Sequence, residues 1–276
     1  MISPVADSFS LFGFNIKFYS VAIFLGLISA FFACVFIIRK YFKDKISLDF
    51  FYDLFPIVVI SGIFGARLYY VLLSLPYFLK NPAEIFAIWQ GGISIQGGIF
   101  FGVLAGFLFA KIKKVDFLCL ADALIPALPL AQAIGRWGNY FNQEAFGAPT
   151  TLPYALYVEP KFRPLEFINN EYFHPTFLYE SVLDFIIFII LFALVKKHKE
   201  NAKGRIFFLY FILYSIVRFF VEYFRIDSIL NIFGVPIAQI VSVIMFLVGI
   251  IGIFWINKND RLWFNFILHT RRNLAF

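Results

Sequence analysis

The sequence predicts an all-α fold: a polytopic transmembrane helix bundle of about seven spans, N-terminus outside and C-terminus cytoplasmic, with a small periplasmic cap. Three observations carry that expectation. The 276 residues are 61% hydrophobic and 15% charged, with 41 Phe, against roughly 45–50% and about 25% for a soluble domain. A water-facing surface could not carry so much apolar area without aggregating. The apolar residues fall in runs of about 20, the length a helix needs to cross a ~30 Å hydrocarbon layer. Lys and Arg are also segregated between the two sets of connections. Sixteen of the 24 lie in 39–45, 111–114, 196–205 and from 258 on, and only Lys17, Lys80, Lys161 and Arg163 lie in the opposite set. The crowded set faces the cytoplasm. The net charge of +7 is therefore a topology signal and needs no nucleic-acid partner.

In chain order, apolar runs predict helices near 19–38, 54–75, 93–110, 117–134, 175–195, 206–224 and 233–255. No basic leader precedes the first, which is expected to act as its own uncleaved insertion signal. Pro56, Pro126 and Pro129 fall in or at the edge of spans, where neighbouring helices can re-satisfy the backbone. In the third span, Gly91-Gly92 and Gly97-Gly98 bracket Gln96 and read as a bent, cavity-lining segment, whereas Gly102 and Gly106 permit close helix approach. Residues 141–173 are rich in Pro and Tyr, too polar for lipid, and form the extramembrane cap within a single integral membrane domain covering 1–276. The basic, aromatic tail around Arg261, Trp263, Arg271 and Arg272 is expected along the inner interface. Cys34 and Cys119 sit inside apolar runs, which excludes a disulfide framework.

Four arginines remain, Arg67, Arg136, Arg218 and Arg225, all in or beside spans. A charge at that depth costs a few kcal/mol and marks a functional site by default; for Arg225, at a helix end, snorkelling is the simpler account. With topology fixed by loop charge alone, Arg67, Gln96, Arg136, Glu180, Asp184, Tyr214, Arg218 and Glu222 all fall in the outer half of the bilayer. Tyr214, Arg218 and Glu222 share one helix face at i, i+4, i+8, and Arg218 with Glu222 reads as an ion pair. Convergence at one depth indicates one polar site. Guanidinium forks match phosphate bidentately, and outer-leaflet headgroups lie at that level. The three His show no metal spacing, and no nucleotide loop or Gly-x-Ser-x-Gly elbow is present. No cofactor is expected. The site positions a lipid and leaves a second substrate to attack.

The stretch Gly135-Arg136-Trp137-Gly138-Asn139-Tyr140-Phe141-Asn142-Gln143-Glu144, followed by Gly147, resembles the signature of the prolipoprotein diacylglyceryl transferases. The resemblance continues at Tyr19, at Gly65 to Tyr70, at Gly91 to Gly98, at His174 to Glu180 and at Tyr214 to Arg225, in order through nearly all spans. It implies a bacterial inner-membrane enzyme that moves the diacylglyceryl group of phosphatidylglycerol to the lipobox cysteine of a prolipoprotein signal peptide and releases glycerol phosphate. It further implies that Arg136 and Arg218 stabilise the leaving phosphate and that Asn139 and Glu144 orient the lipid or Arg136. Tyr19 and Tyr214 would line the site, Glu180 and Glu222 would hold the arginines, and Gly147, Gln96 and Arg67 would complete the substrate contacts. Two positions depart from the family pattern: Gln96 stands where many relatives carry His, and Phe177 replaces a polar residue. The rival class is a transporter or channel with an outer-leaflet anionic-lipid site, for which intramembrane Arg and Glu are equally natural. It requires polar residues at several depths, and the inner halves of these spans are apolar.

Overall fold

The structure, a computed structural model, describes residues 2, 7–11, 13–198, 203–226, 231–232 and 234–273, with the side chains of 14, 90, 232 and 259–273 left aside. The tail expected along the inner interface thus lies outside the described side chains. In chain order the elements are β1 (Ser8–Leu11), β2 (Phe14–Lys17), α1 (Phe18–Ile37), α2 (Leu48–Leu73), α3 (Leu75–Lys80), α4 (Ile95–Ile112), α5 (Phe117–Leu124) and α6 (Ala127–Asn142). They continue with β3 (Leu156–Tyr157), β4 (Tyr172–Phe173), α7 (Thr176–His198), α8 (Arg205–Phe224), β5 (Asn231–Ile232), β6 (Val235–Pro236) and α9 (Ile237–Asn273). The strands form three two-stranded antiparallel hairpins. The other named elements are helices, as the composition and run lengths require.

Among the described residues, six helices are long and apolar enough to cross a membrane, and α5 with α6 makes a seventh candidate bent by 44°. Sequence periodicity joins 117–134 into one run, but the chain breaks at Ile125-Pro126. Pro126 and Pro129 sit there together, and a proline in a helix interior removes one donor and clashes with the carbonyl four residues back. Beyond the break α6 runs on to Asn142, so most of the Gly135–Glu144 stretch is helix rather than loop.

The chain divides into two compact units, Met1–Cys34 with Ala121–Phe276, and Val35–Leu120. In the smaller unit a π-helical stretch, Ile38–Phe42, extends α1, and Ser47 caps α2 by accepting from the amide of Phe50 at 3.1 Å. α2 packs on α4 along small residues, with Gly62 and Ala66 against Gly98; close backbone approach is how helices associate where no hydrophobic force separates them from lipid.

In the larger unit Asp122, fully buried, accepts from the amides of Gly204 at 2.8 Å and Phe207 at 2.9 Å. It caps α8 from another helix, satisfying donors that a helix N-terminus leaves orphaned. The cap is built on its own small core of Phe146, Leu156, Val158, Phe173 and Phe177. Ile2 adds a parallel bridge to Leu156, giving its amide to Ala155 at 3.0 Å and accepting from Tyr157 at 2.8 Å. Gln143 ends α6 in the left-handed region, at φ 51°. Its amide donates to Glu159 at 3.0 Å and accepts from the Glu159 N–H at 2.6 Å, tying the cap to the helix end. Lys161 first, then Gln143, holds the Glu159 carboxyl below the usual carboxylate range.

Candidate active site

α6, α7 and α8 bring charged residues to the same place. Arg136 on α6 and Arg218 on α8 both pair with Glu180 on α7, one on each carboxylate oxygen. Arg218 also reaches Glu222, one turn on, at 2.6 Å, so the expected i,i+4 pair is present. Arg225 lies 3.9 Å from Glu222 and bridges to Gly147 through its backbone, so it is anchored rather than snorkelling freely. The side chains of Glu180 and Glu222 are sealed at 4% and 3% exposure, while those of Arg136 and Arg218 keep 21% and 17%. Each guanidinium carries five donors in a plane, and one carboxylate leaves several of them for an anion.

The surroundings support this pair. Tyr214, one turn before Arg218, stacks on Tyr210 with centroids 5.4 Å apart. Tyr210 donates to Gln132 at 3.1 Å. Asn139 donates to Glu144 at 2.8 Å, and the Glu144 amide returns to the Asn139 carbonyl at 3.1 Å, closing a small loop just past the end of α6. Tyr19 packs its ring on Gly138, where a Cβ would come within 2.8 Å. Gly147 is fixed by its surroundings as well: its N–H donates to His174 at 2.8 Å, and a Cβ there would meet the Phe224 carbonyl at 2.6 Å. Phe177, which departs from the family pattern, is buried in the cap core and packs on Trp137 and Tyr140. His174 is engaged with the Tyr179 hydroxyl at 3.0 Å.

Arg136, Tyr214, Arg218, Glu180 and Glu222 therefore come together as the sequence suggested, with Tyr19, Asn139, Glu144 and Gly147 in the same unit. Arg67 and Gln96 belong to the other unit. There Arg67 hydrogen-bonds backbone carbonyls, and Gln96 accepts from the Ser94 hydroxyl. Asp184, which the sequence placed at the same depth without a role, is fully buried, and neither of its carboxylate oxygens is hydrogen-bonded. The signal was in the sequence, since Asp184 falls four residues after Glu180 and so on the same helix face.

A family model described as prolipoprotein diacylglyceryl transferase matches residues 6–255. The chain belongs to that family. Among similar proteins, the phosphatidylglycerol–prolipoprotein diacylglyceryl transferase of Acaryochloris marina is 44% identical over 259 residues, covering 92% of this chain and 91% of its own. Its namesake in Synechocystis is 42% identical over 258 residues, covering 92% and 90%. That of Thermotoga maritima is 40% identical over 247 residues, covering 88% and 82%. Family membership leaves the transporter reading without support.

Proposed function

We propose that this chain transfers the diacylglyceryl group of phosphatidylglycerol to the lipobox cysteine of a prolipoprotein signal peptide, in the bacterial inner membrane and at its outer leaflet. The observation that carries the reading is the half-buried Arg136 and Arg218 pair, held on one buried carboxylate, within a family named for this reaction. The cysteine sulfur attacks the glyceryl carbon, the carbon–oxygen bond to phosphate breaks, and the thiol proton leaves with the products as a thioether and glycerol phosphate form. The departing phosphate moves from one negative charge towards two. Donors already aimed at that charge stabilise the transition state more than the ground state. Glu180 keeps both guanidiniums in register, and the Asn139–Glu144 contact steadies the helix end beside them. Positive potential from the arginines also favours thiolate over thiol, which supplies nucleophile without a dedicated base at Gln96. The test is direct: purified protein with phosphatidylglycerol vesicles and a lipobox peptide should yield a peptide heavier by one diacylglyceryl group. A peptide of unchanged mass would overturn the assignment.

A further inference from the structure

Asp184 takes no part in the mechanism above, yet it belongs to the same compact unit as the arginine pair. Four residues past Glu180 on α7, it falls on the same helix face, about 6 Å further along the axis. Ser181, between the two, donates to the Ala133 carbonyl on α6 at 2.7 Å, which fixes the rotation of α7 against α6. Asp184 is fully buried. Neither carboxylate oxygen takes a hydrogen bond, and among the described residues it closes no ion pair. The groups in electrostatic reach of it are Arg136 on α6, Glu180 on its own helix, and Arg218, Tyr210 and Tyr214 on α8. The Tyr210 hydroxyl is already spent, since it donates to Gln132 at 3.1 Å. A buried carboxylate without partners is costly, and packing alone would be served better by an apolar residue of similar volume.

Its effect on the arginines follows from its sign. Charges shielded from water are weakly screened, so an anion one turn behind Arg136 and Arg218 lowers the positive potential that they present. The penalty scales with the charge of what they hold. It falls once on a phospholipid monoanion and about twice on a phosphate monoester, whose second pKa is about 6. Donors that favour a departing phosphate over the bound lipid favour the free dianion further, and a product held too tightly stalls turnover. We propose that Asp184 acts through Arg136 and Arg218 as a tuning charge, weakening their hold on the dianionic product so that glycerol phosphate leaves and the site turns over. This rests on the proposed function, and it requires no contact between Asp184 and the lipid.

The experiment compares wild type with Asp184→Asn, which keeps the shape, and Asp184→Ala, which does not, in the full chain at about pH 8, where a phosphate monoester is a dianion. Glycerol phosphate binding is measured by calorimetry in phosphatidylcholine nanodiscs. Transfer from phosphatidylglycerol to a lipobox peptide is followed in single and in multiple turnover. Both variants should bind glycerol phosphate more tightly, on the order of 10-fold, the scale of one nearby charge. Single-turnover transfer should match wild type or exceed it, because the same change favours the departing phosphate. Multiple turnover should fall behind as product accumulates. An aspartate with a merely structural part would instead slow the single turnover and leave product affinity unchanged or weaker, and either result in Asp184→Asn would overturn the tuning role. Failure of both variants to fold would overturn it too, since a tuning charge is not needed for folding. A wild-type protein that modifies no peptide would remove the transfer reading, and the calorimetry would still decide whether Asp184 weakens anion binding at the arginine pair.

Discussion

Glu180 makes Arg136 and Arg218 one unit, because each guanidinium is held through the carboxylate that holds the other. Removing one donor from a preorganised oxyanion site costs on the order of 10²–10³ in rate. Arg136→Ala and Arg218→Ala should each lose that much diacylglyceryl transfer while still inserting, and Lys should rescue poorly for want of the fork. Arg225→Ala should be mild, since that residue stands at the end of α8 and its bridge to Gly147 is made by backbone. Losses in Glu180→Ala and Arg136→Ala should combine to less than their product, and strict multiplication would show that the carboxylate does not couple the arginines. Gln96 gives a second check: an amide does not titrate in the working range, so the rate should climb with pH along the thiol's own ionisation, pKa about 8.5 when free. A step near pH 6.5 would implicate an imidazole instead. The Arg218–Glu222 pair was legible in the sequence because helix period alone places i and i+4 together. The Glu180 bridge was legible only as a common depth, since its contacts depend on the rotation of α7 against α6 and α8. The carbonyls that occupy Arg67 were not legible, because backbone partners leave no trace in residue type.

Helix ends carry much of what is specific at the next scale. Asp122 serves the N-terminus of α8 from outside that helix. Loss of such a cap costs about 0.5–2 kcal/mol, so Asp122→Ala should lower the thermal midpoint in detergent, with Asn, which keeps an acceptor, costing less. Nothing in the local sequence of α8 announces this cap, since the accepting carboxylate lies 82 residues earlier in the chain. Gln143 plays the matching part at the end of α6. Gln143→Ala should expose the cap to proteolysis within 152–172 faster than wild type, and equal rates would show that the cap stands on its own core. Glu159 adds a pH dependence whose sign follows from its lowered pKa: its contribution is complete above the ordinary carboxylate range and lost as pH falls through the depressed value. Cap loosening should therefore rise in acid and be absent near neutrality. The break at Pro126 was visible as two prolines in a run, but composition could not decide between a tolerated kink and an interruption. Neighbouring helices decide that, and their arrangement is tertiary.

For the molecule as a whole, the basic bias predicts that the cap faces the periplasm. Leu165, 88% exposed on the cap, is a suitable place for a reporter, because the native thiols Cys34 and Cys119 are buried. Leu165→Cys should react with an impermeant maleimide in intact spheroplasts, and reaction only after lysis would reverse the orientation. The run count was enough to read the helical architecture from sequence, because run length is set by the solvent rather than by packing. The pairing of Ile2 with residues 155–157 bears on parity. Two segments that hydrogen-bond as a sheet lie on one side of a bilayer, so the chain between them should cross an even number of times. α1, α2 and α4 are three candidate crossings, and the bent α5–α6 pair is the candidate for the fourth. The Gly147–Arg225 bridge likewise fits α7 and α8 as a there-and-back pair. With α9 the candidate spans number seven, an odd count that matches the expectation of Ile2 and Lys258 in different compartments.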